Sequence, residues 1–429
     1  MSTSVAGGRR LPVVLRNRSF GTVWAGQLLT QMASRMFQVG AVWWVVGFAG
    51  GDHRGLDSGL FLMVSTLPAV VLAPVVARVI ARHARRTVLA VAAGSAGGLA
   101  TAAAVWAYAG TLPVAAVYAA GLALATCQAV FDPCLTTAVP ELVEDADIEA
   151  ATGFELSTQS LAGLAGGLLG PVVVDAGGLA DVVAGCAGAY LTAALLIGSV
   201  RFPHATAPQG AASGAAPERR TLRRILAGLP FVRRVLVCFA AANVFTTAVY
   251  VVMPLYTRGV LHSTGSTVAS LEVALGAGTL VGSFTGGRLP GRPVTLGSIC
   301  LAVMAACLGL PGLITGHAVA AGSMVVAGWC VGVIGVRFVA LFQRLVPADD
   351  KAGFFTAMQA LLGATFPVSS LVFGALGDQL TARALCLVQG AGLVPVAVAL
   401  WWLGGRADVP EDAPSAPAGQ RAALTGDAS

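Results

Sequence analysis

The sequence predicts an all-α integral membrane protein of twelve transmembrane helices arranged as two six-helix halves. Three observations carry that expectation: apolar stretches of membrane length recur along the chain, Lys and Arg divide very unequally between the loops, and one stretch repeats itself 200 residues later. Of the 429 residues 56% are hydrophobic and 11% charged, with a mean hydropathy of +0.80. That balance excludes a soluble domain folded around one core.

The apolar stretches run over 20–48, 57–78, 87–109, 112–134, 153–175 and 179–200, then over 235–257, 266–287, 294–314, 318–343, 353–376 and 383–404. Lipid satisfies no backbone hydrogen bond, so each is expected to cross as a helix. The first is too long for the apolar core of a secretory signal and has no small-residue cleavage site after it, so it is expected to stay. Domain boundaries follow: a six-helix half over 1–200, a linker over 201–234, a second six-helix half over 235–404, and a polar, Pro/Ala-rich tail over 405–429 that reads as disordered. In the linker, Leu222, Ile225, Leu226 and Leu229 share a face between arginines, which suits a helix lying on an anionic membrane surface.

Orientation comes from the cations. With both termini inside, the inner segments hold 21 of the 26 Lys and Arg, the outer loops hold only Arg54, Arg258 and Arg383, and Arg35 and Arg337 lie within spans. The positive-inside rule then places the chain in the cell's inner (plasma) membrane as a multi-pass protein with cytoplasmic termini. The net charge of +6 is accounted for by topology, and no nucleic-acid partner is expected. All eight cysteines fall inside the apolar stretches, without CxxC spacing, and read as small buried residues. No metal or cofactor is expected.

The repeat is the strongest internal sign of organisation. "GFELSTQSLAG" from Gly153 and "GFFTAMQALLG" from Gly353 share Gly, Phe, Gln159/Gln359, Leu161/Leu361 and Gly163/Gly363 at a constant offset. Helices five and eleven are therefore expected to be copies of one another. Parallel halves related by an axis along the membrane normal are a transporter architecture, with the substrate site near the midplane between them.

Helix one carries the residues that point to such a site. Gln27, Gln31, Ser34, Arg35 and Gln38 fall on one helical face, while Leu28, Leu29, Val39, Val42 and Val46 lie elsewhere on it. The first helix of the second half shows Asn243, Thr247 and Tyr250 on a shared face with Pro254. A cation near the bilayer centre costs about 2.5–3.5 kcal/mol on insertion scales, so it faces a bundle interior or a watery cavity. Arg35 is expected either to line a central cavity that favours anionic or electron-rich groups, or to pair with an acid on another helix.

The sequence resembles the major facilitator superfamily over nearly its whole length, and most closely the branch of macrolide-efflux and enterobactin-exporter-like proteins. "LRNRSFGTVWAGQLLTQMASRM" is similar to that branch's first helix, and "FDPCLTTAVPELVEDADIEAATG" to its segment running out of helix four. "GGLLGPVVVDAGG" resembles the antiporter motif at Gly166, Gly170 and Pro171, with Val174 and Asp175 where the family has glycines. "ARVIARHARR" keeps the basic half of the loop signature between helices two and three: Arg82, Arg85 and Arg86 remain, and Ala77, Ala81 and Ala84 replace its glycines and aspartate. The resemblance implies the major facilitator fold, and a gating latch in which Asp132, at the inner end of helix four, pairs with Arg85 or Arg86. The branch often has an aspartate where this chain has Ser34.

No GxxxxGK[ST] loop occurs, so an ion gradient must drive uphill transport. Glu155, Glu272 and Asp132 are the acids in or near spans and are the candidate proton carriers. The five histidines lie in loops, and no nucleophile has a base beside it, which argues against an enzyme. The function expected is secondary active efflux of a small amphiphilic molecule, such as an antibiotic, siderophore or secreted metabolite, by proton antiport in a monomer. An importer or uniporter for a nutrient is the alternative, and a substrate-sensing receptor a remote one.

Overall fold

The computed structural model describes residues 13–48, 53–110, 112–144, 147–200, 202, 228–347 and 351–406. Nearly all of the linker, including the basic amphipathic stretch, and the tail lie outside the described residues. The elements are α1 (Val13–Arg16), α2 (Arg18–Phe48), α3 (Arg54–Val71), α4 (Ala73–Arg82), α5 (Arg85–Ala109), α6 (Val114–Leu142), α7 (Ile148–Ser199), α8 (Pro230–Thr247), α9 (Val249–Gly259), α10 (Gly265–Gly286), α11 (Pro293–Leu313), α12 (His317–Leu345), α13 (Lys351–Gln379) and α14 (Ala382–Arg406).

Ten helical stretches among the described residues are long and apolar enough to cross a membrane. One of these, Ser157–Ser199, spans 43 residues and turns back at Gly178, whose φ of 82° and ψ of −177° suit only glycine. Counting it twice, and adding α2, whose Gln and Arg face lowers its hydropathy, yields the twelve spans expected. α3 and α4 make the second span, interrupted at Leu72 between Pro68 and Pro74, and α8 and α9 make the seventh, interrupted at Ala248. Pro254, inside α9, removes the helical donor that would reach the carbonyl of Tyr250.

The first span is central. α2 packs most extensively on α7, and Val39, Val42 and Val46 are buried against neighbouring helices, as is Trp43. Glycine makes that approach possible: a Cβ on Gly166 would sit 2.8 Å from Arg35 Cβ and from Met36 N, and one on Gly170 would sit 2.8 Å from Gly40 N. Gly166, Gly170 and Gly40 therefore set the spacing of the first and fifth spans. Large apolar side chains such as Leu195 and Phe284 are exposed on the outer wall, where lipid replaces water as their solvent. Trp106, Tyr108, Trp401 and Trp402 are exposed near span ends, at interface depth.

α2 runs from the near end of the bundle at Arg18 to the far end at Phe48. At the near end the pairs Arg16–Asp147 and Arg85–Glu141 join elements of the first six spans. At the far end the first six spans meet the second six directly: α3 crosses α13 where Gly55 and Gly59 face Ser370, Gly374 and Gly377.

Candidate functional site

Halfway along α2 the guanidinium of Arg35 reaches out of the first six spans into the second. It donates to Gln38 Oε1 at 2.8 Å through one nitrogen, and the other lies 3.3 and 3.5 Å from the two carboxylate oxygens of Glu272 on α10. Its Cζ lies 4.7 Å from the centre of the Tyr250 ring on α9, and that ring packs at 5.7 Å on Phe366 of α13. The side chains of Arg35 and Glu272 are 22% and 10% exposed. The pair is thus largely withdrawn from water but not sealed, with a cation–π contact reinforcing it. Gly167 on α7 leaves room for it: a Cβ there would overlap the Glu272 carboxylate.

Toward the near end the same face of α2 belongs to a network inside the first six spans. Gln27 donates to the carbonyl of Glu155 at 3.2 Å and lies 3.4 Å from Gln31 Oε1; Gln31 donates to Asp132 Oδ1 at 3.1 Å. Gln128 donates to the same carboxylate oxygen at 2.6 Å, and Thr136 to Glu155 Oε1 at 2.6 Å. Glu155 is 3% and Gln27 2% exposed, whereas Ser34 is half-buried. Two glutamine amides solvate the Asp132 carboxyl and the Thr136 hydroxyl the Glu155 carboxyl, where water would be scarce. Among the described residues no cation pairs with either acid, so each can hold a proton without displacing an ion pair.

The residues expected from the second half divide. Tyr250 stands on Arg35, but Asn243 points at α13, donating to the Leu362 carbonyl at 3.1 Å and to Thr365 Oγ1 at 2.6 Å. Thr247 donates back to the Asn243 carbonyl at 2.7 Å. The two bonds from Asn243 hold the seventh span to the eleventh.

The latch implied for Asp132 is corrected. α6 runs on to Leu142, so Asp132 lies well inside the helix and accepts from glutamines. The carboxylate that Arg85 meets is Glu141, at the true end of α6, while Arg86 donates to the Gly198 carbonyl and Arg82 is exposed. The amphipathic end of α6 is too polar for the hydropathy pattern to include, which hid Glu141. Arg337, within the tenth span, donates to the carbonyls of Leu289 and Gly291 and so secures the turn between α10 and α11. A double-mutant cycle on Arg85→Ala and Glu141→Ala is expected to return a coupling of about 0.5–3 kcal/mol in thermal unfolding, since the residues share one network. Strictly additive losses would show that the two side chains do not interact.

The sequence profile of the Major Facilitator Superfamily matches residues 23–367. The chain belongs to the Major Facilitator Superfamily. No curated protein matches it in sequence. Among solved structures it is similar to a bacterial homologue of the iron transporter ferroportin in an inward-facing state, with a TM-score of 0.69 at 13% identity over 91% of this chain and 99% of that one. It is similar also to a bacterial homologue of the human lysosomal transporter Spinster, inward-facing and occupied, with a TM-score of 0.70 at 12% identity over 90% and 96%. An auto-inhibited peptide transporter of the POT family scores 0.69 at 12% identity over 93% and 99%. At such identities the likeness is one of fold, and the chain is a membrane transporter of this superfamily.

Proposed function

We propose that the chain is a secondary active exporter that moves a small amphiphilic molecule out of the cell in exchange for protons, as the resemblance of its first and fourth helices to macrolide-efflux and enterobactin-exporter-like proteins implies. The observation that carries this reading is the Arg35–Glu272 pair, mid-span and between the two sets of helices. A transporter that alternates between two open states must break whatever joins its halves. A proton placed on Glu272 removes the charge that holds Arg35, so protonation and separation of the halves become one event. Asp132 and Glu155, solvated by Gln31, Gln128 and Thr136, provide a second place for a proton on the first-half wall.

The pair also bears on cargo. Arg35 is already occupied by Glu272, so an acidic group reaches the guanidinium only by displacing that carboxylate or after its protonation. Gln38, Tyr250 and Phe366 around it offer hydrogen bonding and aromatic surface to an amphiphile. In this reading the near end is cytoplasmic, the membrane is the plasma membrane, residues 1–200 and 235–404 are the moving halves, and the protein works as a monomer without cofactor.

The test is efflux from preloaded cells of a macrolide, a catecholate siderophore and fluorescent amphiphiles, with and without a protonophore. Efflux of at least one cargo is expected to stop when the gradient collapses, and Glu272→Gln or Glu155→Gln to slow it about tenfold or more. Efflux that ignores the protonophore while both variants remain active removes antiport, and gradient-driven uptake of the same cargo turns the reading into an importer.

A further inference from the structure

At the far end of the bundle, two helices that begin there lack a cap of their own. His53 precedes α3 and Thr264 precedes α10, and neither side chain accepts from a backbone N–H of the first turn it opens, the Thr264 hydroxyl meeting that of Ser266 instead. The donors of those turns are taken instead by aspartates from the opposite six spans. Asp378, at the end of α13, accepts from Gly55 N at 2.7 Å and Leu56 N at 3.2 Å. Asp175, at the end of the fifth span, accepts from Gly265 N and, through its other oxygen, from Trp43 Nε1 at 2.7 Å.

The two arrangements match each other. Asp175 and Asp378 close the two helices that carry the shared sequence around Gln159 and Gln359, and they cap the second and eighth spans, which hold the same rank in each set of six. An aspartate at a helix N-terminus accepts otherwise orphaned N–H groups and meets the positive end of the helix dipole. Gly55 and Gly265 are buried between helices, so their N–H groups have few other acceptors. Each cap exists only while the far ends of the two sets touch.

We infer that Asp175 and Asp378 are a paired latch, each helix N-terminus of one half capped by an aspartate of the other, that holds the far end shut and is released when that end opens. It rests on the alternating-access reading above and on no particular cargo or coupling ion. The charged groups around it are few. Arg258 stands over the Trp43 ring at 5.0 Å and donates to the Gly47 carbonyl at 3.2 Å, adding a contact between the seventh and first spans beside Asp175. His53 Nδ1 lies 3.5 Å from Asp378, beside the other cap. The glycine crossing under the Asp378 cap is tight as well: a Cβ on Gly59 would lie 2.9 Å from Gly374 Cα and overlap the Ser370 carbonyl oxygen.

The experiment measures the far end directly. Spectroscopic labels carried by unnatural amino acids at Gly110 and Thr315, exposed positions in far-end turns of the first and second six spans, report the separation of that end by pulsed electron resonance in nanodiscs, without cargo or gradient. In the unsubstituted protein the short separation dominates. Asp175→Ala and Asp378→Ala are each expected to raise the ratio of long to short separations about fivefold, and the double variant about twenty-five-fold, the effect of losing one and two helix caps. Asn at either site, which keeps one acceptor but no charge, falls between Ala and the parent. Gly59→Ala, which wedges the crossing while keeping both aspartates, moves the ratio the same way. A folded double variant whose separations equal those of the parent overturns the latch, as does a loss of thermal stability with unchanged separations, the mark of a purely local cap. Because no cargo is present, a failed export assay does not affect the outcome.

Discussion

Arg35→Ala is expected to lower the amount of folded protein sharply, and Arg35→Ala combined with Glu272→Gln to recover the protein but not transport. Truncating one partner of a buried ion pair leaves the other charge uncompensated, at a cost of roughly 3–5 kcal/mol when burial is complete. With side chains 22% and 10% exposed, water reaches part of this pair, and about 2–3 kcal/mol is the expected loss. The double variant removes the orphaned carboxylate and with it most of that penalty. It also removes the one charged contact among the described residues that ties the middle of α2 to α10, so transport should remain lost. Arg35→Lys should fold, keep the ring contact with Tyr250, and transport poorly, because an ammonium cannot face Gln38 and Glu272 together in one plane. Thermal unfolding of the purified protein and efflux in cells, measured on the same variants, check this. A single Arg35→Ala protein as stable as the parent would refute the pair as a structural tie, and normal coupled efflux in the double variant would refute its place in the cycle.

The larger loss is expected at Gly170. A valine there must place its Cβ against the Met36 carbonyl oxygen at 2.5 Å and the Gly40 nitrogen at 2.8 Å, and both obstacles are backbone. A flexible side chain could turn aside, but two helices can only move apart, and α2 and α7, which holds the fifth and sixth spans, share the most extensive packing among the described residues. Overpacking of this kind costs about 3 kcal/mol or more, at the upper end of such substitutions. No folded Gly170→Val protein is expected on size-exclusion chromatography. Gly163, one repeat position in the same span, is the control, since nothing lies within 4 Å of a Cβ placed there. Gly163→Ala should be neutral, or stabilising by about 0.5–1 kcal/mol through reduced backbone freedom. Similar behaviour of the two variants would show that close approach at Gly170 is not what the glycine provides.

The sequence by itself determined what depends on local composition. Lipid length and the need to satisfy backbone hydrogen bonds within each span are read residue by residue, so twelve crossing helices were legible, with ends that moved by a few residues, whereas the interruptions at Leu72 and Ala248 inside the second and seventh spans were not. The polar face of α2 was legible for the same reason: helical periodicity places Gln27, Gln31, Arg35 and Gln38 together whatever surrounds them. What faces that stripe was decided only by the tertiary structure. Glu272 lies 237 positions from Arg35, and no periodicity links them; their meeting depends on how α10 crosses α7 at Gly167 and Gly265. The same limit misplaced Asp132, which hydropathy put at a helix end and packing put beside Gln31 and Gln128. It hid what Asp175 and Asp378 cap. An acid at the end of a span looks like an ordinary surface residue until the opposite helix brings its uncapped N–H groups to it, because the energy of a charge in a membrane protein belongs to its partners in space and not to its neighbours in the chain.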